Sequence, residues 1–197
     1  DSPVAIVVDG VPQNNQKQFR MNLFDIQRIE VLKGPQGALY GRNALGGAIN
    51  IVTKAPSNRL EGFGGLSVAE GSDITVNAGL SGPLSEGSAF RLVAQHRRSD
   101  GLIRNDFLGQ KVDGIDHDSL LRGKLSFTVG NEVSIDVQAG YNDFKAGANH
   151  DSIPPGGDVT RVVGPITNLL GKTDGSVADA SLKIDVPTSV GTLTSIT

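Results

Sequence analysis

Three histidines, His96, His117 and His150, are the residues of this chain best suited to proton transfer or metal binding. They are scattered over a strand end and two loop regions, so neither a motif-spaced metal site nor a catalytic pairing emerges. His117 sits in the acidic run Asp113-Gly114-Ile115-Asp116-His117-Asp118, which offers oxygen ligands to a cation. The simpler reading of such a run is a set of solvated loop charges. Serine is abundant, yet no Gly-x-Ser-x-Gly elbow with a triad order accompanies it. With no cysteine, a thiolate metal site and a disulfide framework are both excluded. These residues predict no enzyme, no cofactor and no resident metal.

Glycine carries more information than any of them. The segment Asp25 to Lys54 holds five glycines, Gly34, Gly37, Gly41, Gly46 and Gly47, with Gly34 followed by Pro35. A phosphate-binding loop is the first chemistry to test. From Gly34, Gly37 or Gly41 the Gly-Lys of a Walker pattern never follows, and no Gly-x-Gly-x-x-Gly follows a strand. What remains is a structural role, because glycine tolerates positive φ and close backbone approach in tight turns between short strands. Arg28 to Leu32 alternates charged and apolar residues, and Ala48 to Val52 alternates apolar and polar. Both read as strands with one buried face, and Gln36 to Tyr40 reads as one helical turn after Pro35.

Composition narrows the class. The chain has 197 residues, 38% hydrophobic and 5% aromatic, with no tryptophan. Its longest uninterrupted aliphatic run, Val4 to Val8, falls far short of the ~20 apolar residues of a transmembrane helix. Any spanning role must therefore fall to β-strands, whose alternation keeps mean hydropathy low. Lys and Arg outnumber Asp and Glu by seven to four over residues 1–60, and are outnumbered seventeen to eleven thereafter. No basic patch with interleaved aromatics appears, which disfavours a nucleic-acid partner. The chain opens at Asp1 in a strand lead-in, without a charged n-region and apolar h-region, so truncation explains the missing signal better than cytoplasmic residence.

Beyond the break at Ala55 to Asn58 the pattern becomes repeated alternation. Apolar sets at Ile74 to Leu80, Phe90 to Ala94, Leu121 to Val129, Val133 to Tyr141 and Ala178 to Val186 interleave with polar ones. A weaker run covers Gly64 to Ala69, and another begins near Val190. Each is close to the ~9–11 residues that a tilted strand needs to cross a bilayer. Connections at Gly82 to Gly87, Gly130-Asn131 and Pro187 to Gly191 are short, whereas Arg98 to Asp118 and Lys145 to Val177 are long. That asymmetry suits an outer-membrane barrel with short periplasmic turns and longer outer loops. Phe90 and Phe127 fall near the short-turn side and Tyr141 near the long-loop side, on the apolar face; Phe63, by its parity, falls on the polar one. In this scheme Leu121, Leu125, Phe127, Val133, Ile135 and Val137 face lipid. Arg91, Arg122, Lys124, Asp136, Gln138, Asp179, Lys183 and Asp185 face the lumen.

Three pieces, Val8 to Pro12, Asp25 to Pro35 and Leu39 to Lys54, match in order the second half of the plug domain of TonB-dependent outer-membrane receptors. The segment 4–54 resembles that family, over about thirty ordered positions, far more than a short motif supplies. The resemblance implies residues 1–54 as the C-terminal half of a plug, 55–61 as linker and 62–197 as wall. The fold class is then mainly β: a partial plug followed by the first six or seven antiparallel strands of a barrel that closes at about 22. Six or seven strands leave an unpaired edge that lipid does not allow, so the expectation is a fragment. The plug's first half and the N-terminal box that binds TonB would then lie outside it.

The family further implies energised import across the outer membrane of a Gram-negative bacterium, most often of ferric siderophores, with TonB, lipid and a small solute as partners. Gly34, Pro35, Gly37, Gly41, Gly46 and Gly47 would shape the plug turns. Arg28, Glu30 and Lys33 would make ionic contacts seating the plug against wall strands beyond Thr197. Cobalamin, haem or carbohydrate import is the alternative within transport. A soluble β-sandwich or adhesin is the alternative outside it, since alternation also fits a sheet with one wet face.

Overall fold

The computed structural model describes residues 4–13, 24–37, 44–130, 132–147, 168 and 171–197. Its first part is a small sheet made of β1 (Val4–Val8), β2 (Val11–Pro12), β3 (Ile26–Lys33) and β4 (Gly47–Thr53), in the order β2-β1-β4-β3. β1 runs parallel to β4, and the other pairings are antiparallel. Among the described residues its interior holds a cluster of Ala5, Ala44 and Ala48 against Leu32, together with the fully buried Val7 and Ile51.

A coil over 54–60 leads into the second sheet. Its strands are β5 (Glu61–Ala69), β6 (Asp73–Ser85) and β7 (Ser88–Ser99), then, after a minor hairpin of β8 (Arg104–Asn105) and β9 (Gln110–Lys111), β10 (Ile115–Val129), β11 (Val133–Gly147), β12 (Lys172–Thr188) and β13 (Gly191–Ile196). The order β13-β12-β11-β10-β7-β6-β5 is an antiparallel meander. Register carries each side-chain class across neighbouring strands. One row reads Ser81, Arg91, Lys124, Gln138 and Ser181; an adjacent row of opposite parity reads Phe90, Leu125, Val137 and Leu182. Because strand parity is two, these rows lie on opposite faces, and the small sheet packs against the polar one.

The alternating runs fall on β5 to β7 and β10 to β13, and the strands extend past them. β10 and β11 have 15 residues each and β12 has 17, longer than a spanning strand needs. The ladder continues wherever backbone partners persist, whatever the side chains, and alternation marks only the part bounded by two different solvents. The connections shrink accordingly. Arg98 to Asp118, expected as loop, is strand as far as Ser99 and again from Ile115, so His117 lies on β10. Pro83 sits inside β6 at a register shift, a position where a missing amide donor is tolerated.

Two glycines of the turn-rich segment have the conformations that exclude other residues. Gly34 has φ of 85°, with open space around it, and Gly47 has φ of 146° with the Leu32 carbonyl oxygen where a Cβ would stand. Gln36 N donates to Ala44 O at 2.8 Å. Gly37 has helical backbone, Pro35 and Gly46 are exposed, and Ala38 to Tyr40 and Gly41 lie outside the described residues.

Two outcomes follow from this architecture. Leu121→Arg, on the apolar face, should cost of order 2–4 kcal/mol of stability for the full-length protein in lipid, and Gln138→Arg on the opposite face less than about 1 kcal/mol. Denaturant titration in vesicles measures both, and equal costs would overturn the assignment of faces. Gly47→Val should cost roughly 1–3 kcal/mol in backbone strain and more from the Leu32 clash. Gly37→Ala, with nothing within 4 Å of its added Cβ, should be near neutral.

Candidate functional site

The small sheet meets the wall through one end. β1 and β4 finish there and β3 begins there, so Asp9, Thr53 and Asp25 line up along a single edge. Both aspartates have positive φ, 49° at Asp9 and 62° at Asp25, a region that Asp tolerates better than most residues. That backbone aims each carboxylate out of the sheet toward the wall.

Opposite them stand three cations. Arg91 and Lys124 are direct cross-strand partners on β7 and β10, and Arg122 lies one inward position farther along β10. Arg91 grips Asp25 bidentately: its Nε donates to Oδ2 at 2.8 Å and its Nη2 to Oδ1, with the two side chains 5% and 2% exposed. Arg91 Nη1 also lies 3.5 Å from Glu61 Oε1, and its guanidinium carbon stands 5.7 Å from the Phe63 ring centroid. Phe63 packs on Phe24 with centroids 5.9 Å apart. Arg122 Nη1 donates to the Phe24 carbonyl at 3.4 Å, and Lys54 N donates to Asp25 O at 3.1 Å. Phe63, the aromatic that no lipid girdle would hold, is thus the roof of the Arg91 site. Gly79, opposite it in the ladder, leaves room for its ring.

The Asp9 contact has a different construction. Its Oδ1 accepts Thr53 N at 2.9 Å, and its Oδ2 accepts the Thr53 hydroxyl at 2.7 Å and Lys124 Nζ at 3.2 Å. Only the last of these crosses the seam. Beside it opens a cleft of about 410 Å³ between the small sheet and β10 to β13.

The ionic residues singled out on β3 do something else among the described residues. Arg28 Nε donates to Glu30 at 2.6 Å, and Asn50 Nδ2 donates to the other Glu30 oxygen at 2.7 Å, across β3 and β4. The Arg28 guanidinium and the Asn50 amide hold the Glu30 carboxyl below the usual carboxylate range. Lys33 is exposed at the end of β3. Among the described residues the ion pairs that cross to the wall are those of Asp9 and Asp25, which sequence reasoning passed over. A signal was available: Arg91, Arg122 and Lys124 share one face, and clustered inward cations require carboxylates from elsewhere. Of the other lumenal charges, Asp136 accepts Ser126 Oγ at 2.5 Å, and Lys183 pairs with Asp185 at 2.7 Å.

The acidic run around His117 divides among separate structural partners. Asp113 accepts the Leu102 and Ile103 amides, Asp116 pairs with Lys145 at 3.1 Å, and His117 Nε2 lies 3.0 Å from Asp143. Asp118 accepts Asn142 Nδ2 at 2.9 Å, and His96 Nδ1 lies 2.9 Å from Ser119 Oγ. His150 lies outside the described residues.

A glycine-turned plug seated by carboxylates on the polar face of a bilayer-length β meander defines a plugged transmembrane barrel. Comparison with known proteins gives the family. Residues 1–48 match the TonB-dependent receptor plug domain. The chain is 41% identical over 159 residues to the pesticin receptor of Yersinia enterocolitica, covering 72% of this chain and 23% of that protein. It is 35% identical over 167 residues to a ferric enterobactin receptor of Pseudomonas aeruginosa, covering 70% and 22%. Among solved structures, the ferric yersiniabactin uptake receptor of Yersinia pestis superposes with a TM-score of 0.77 at 25% identity, covering 95% of this chain and 30% of that one. The chain belongs to the TonB-dependent receptors of the outer membrane, with plug and first wall strands present. It spans about a quarter of the length of the curated relatives it matches.

The seam yields a prediction. Arg91→Gln leaves Asp25 buried without its partner, and breaking such a pair costs about 3–5 kcal/mol. Lys124→Gln leaves Asp9 on Thr53 and should cost about 1 kcal/mol. Urea titration of plug protease resistance in the full-length receptor measures both. A double-mutant cycle for Asp25→Asn and Arg91→Gln should return coupling of about 0.5–3 kcal/mol.

Proposed function

We propose that this chain is the plug-and-wall portion of a receptor that imports a ferric siderophore across the outer membrane, driven by TonB and the inner-membrane proton gradient. The carrying observation is the seam itself. A folded plug fixed inside the wall by a buried Asp25–Arg91 pair blocks diffusion, so passage requires an energised step. The cargo is supported by the relatives, among them a ferric enterobactin receptor and a ferric yersiniabactin uptake receptor. No covalent chemistry is involved: the plug is remodelled through a local, reversible loss of packing and ion pairs.

In this reading residues 1–54 are the later half of the plug, 55–61 its tether and 62–197 the wall. Arg28, Glu30 and Lys33 lie on β3, the edge strand of the small sheet among the described residues, and there they seat the plug against further wall strands. Gly34, Pro35, Gly37, Gly46 and Gly47 shape the turns that let the plug rearrange.

Growth of a strain lacking the receptor, with siderophore-bound iron as sole iron source, tests the proposal. Restoring the full-length receptor should restore growth only when TonB is present and the proton gradient intact. Uptake indifferent to TonB overturns the mechanism. TonB-dependent uptake of cobalamin, haem or a carbohydrate instead overturns the cargo alone.

A further inference from the structure

The two plug contacts differ in how many bonds must break before plug and wall part. On the Asp25 side, the bidentate pair, the Arg122 bond to the Phe24 carbonyl, and the Phe24–Phe63 packing all cross the seam. The tether is fastened there as well, since Ser57 N donates to Ser81 Oγ at 2.9 Å and Ser81 Oγ to Phe90 O at 2.8 Å. On the Asp9 side Lys124 makes the one side-chain hydrogen bond that crosses among the described residues, with Ile196 Cδ1 standing against Gly10, and Asp9 keeps both of its Thr53 bonds when the Lys124 contact breaks. The cleft of about 410 Å³ lies on this weaker side.

We propose that the plug pivots on Asp25–Arg91 and that Asp9–Lys124 gates a solute route along β10 to β12. The route is the existing cleft, lined by Asn50, Lys124, Gln138, Ser181, Asp136 and Lys183. Its polar groups are of two kinds. Asp136 and Lys183 have partners within the wall, in Ser126 and Asp185, and stay in place when the plug moves. Lys124 loses its carboxylate on opening, and the buried Asn50 Oδ1 has no partner among the described residues. A freed ammonium and an open amide acceptor suit an oxygen-rich, anionic solute carrying hydroxyl or amide donors. Arg91 and Lys124 lie nearer the short turns than the long loops of their strands, so the gate stands at the periplasmic end.

This inference rests on the transport reading, and its test does not need the cargo. In the full-length receptor, Asp9→Cys with Lys124→Cys, and separately Asp25→Cys with Arg91→Cys, are bridged by a short reducible bis-thiosulfonate. Ion current through planar bilayers is recorded as urea loosens the plug. Bridging positions 9 and 124 should abolish most of the current, with recovery on reduction, while bridging 25 and 91 should leave it nearly unchanged. Ser181→Cys carrying a bulky thiosulfonate should likewise block current. Equal loss for both bridges, the reverse order, or an unblocked Ser181→Cys current overturns the gate. If the cysteine pairs do not assemble, Ser181→Cys decides alone: a blocked current supports the route along β10 to β12, and an unblocked one overturns it. A parent that imports no ferric siderophore while the bridge pattern holds removes the transport reading and leaves the gate standing.

Discussion

Two like charges placed side by side on the wall govern this part of the molecule. Arg91 and Lys124 are direct cross-strand partners facing inward, with Arg122 on the same face. Like charges opposite one another destabilise a sheet, and the interior offers too little water to screen them. Asp25 and Asp9 from the plug, with Glu61 from the start of β5, supply the missing carboxylates. Wall and plug are therefore incomplete apart: Asp25 and Asp9 of the one meet Arg91 and Lys124 of the other, and Glu61 of the wall adds a more distant, half-exposed carboxylate to Arg91. The register of β7 on β10 sets the spacing of the cations. The joint end of β1, β4 and β3 sets the spacing of the acids.

The rest of the plug is arranged to serve this edge. Positive φ at Asp9 and Asp25 turns both carboxylates outward, and Gly47 lets β4 leave its turn so close to Leu32 that a side chain would not fit. Among the described residues the clustered interior side chains are small, three alanines against Leu32. A body with such a core owes much of its placement to polar contacts at its rim, and those respond to position more sharply than apolar packing does.

Some of this was legible in the residues and some was not. Two-residue alternation located the wall strands and their faces, because a wall between lipid and a polar lumen must follow the pleat. It missed the strand ends, as at Ile115 to Leu120, where both faces meet polar surroundings and the pattern fades while the ladder continues. The glycine turns were legible at Gly34 and Gly47, where φ is positive. The seam was harder. Arg28, Glu30 and Lys33 drew attention through the resemblance to the plug family, whereas Asp9 and Asp25 stand at turn positions, where aspartate is ordinary on local grounds alone. Their meaning comes from residues 66 and 115 positions away, a separation no local pattern reaches. Phe63 was placed on the polar face by parity alone, as an aromatic outside the girdle, and what it meets there, Phe24 and Arg91, was not legible.

Why the seam is ionic follows from what separation leaves behind. Plug and wall joined by leucines would expose apolar surface on parting, which favours aggregation or collapse into a wrong seat. Charged groups that part in a hydrated lumen recover water, so the open state is penalised far less than vacuum attraction implies. The cost of bringing them together is also high unless geometry is right, which discriminates against misplaced seatings. The bidentate fork of Arg91 on Asp25 sharpens that discrimination, because displacement breaks two directional bonds together. The single Lys124 contact tolerates more motion, since an ammonium binds as a point charge on a flexible stem. An arginine on Asp25 and a lysine on Asp9 thus divide the seam into a contact that displacement breaks at once and a contact that can follow it.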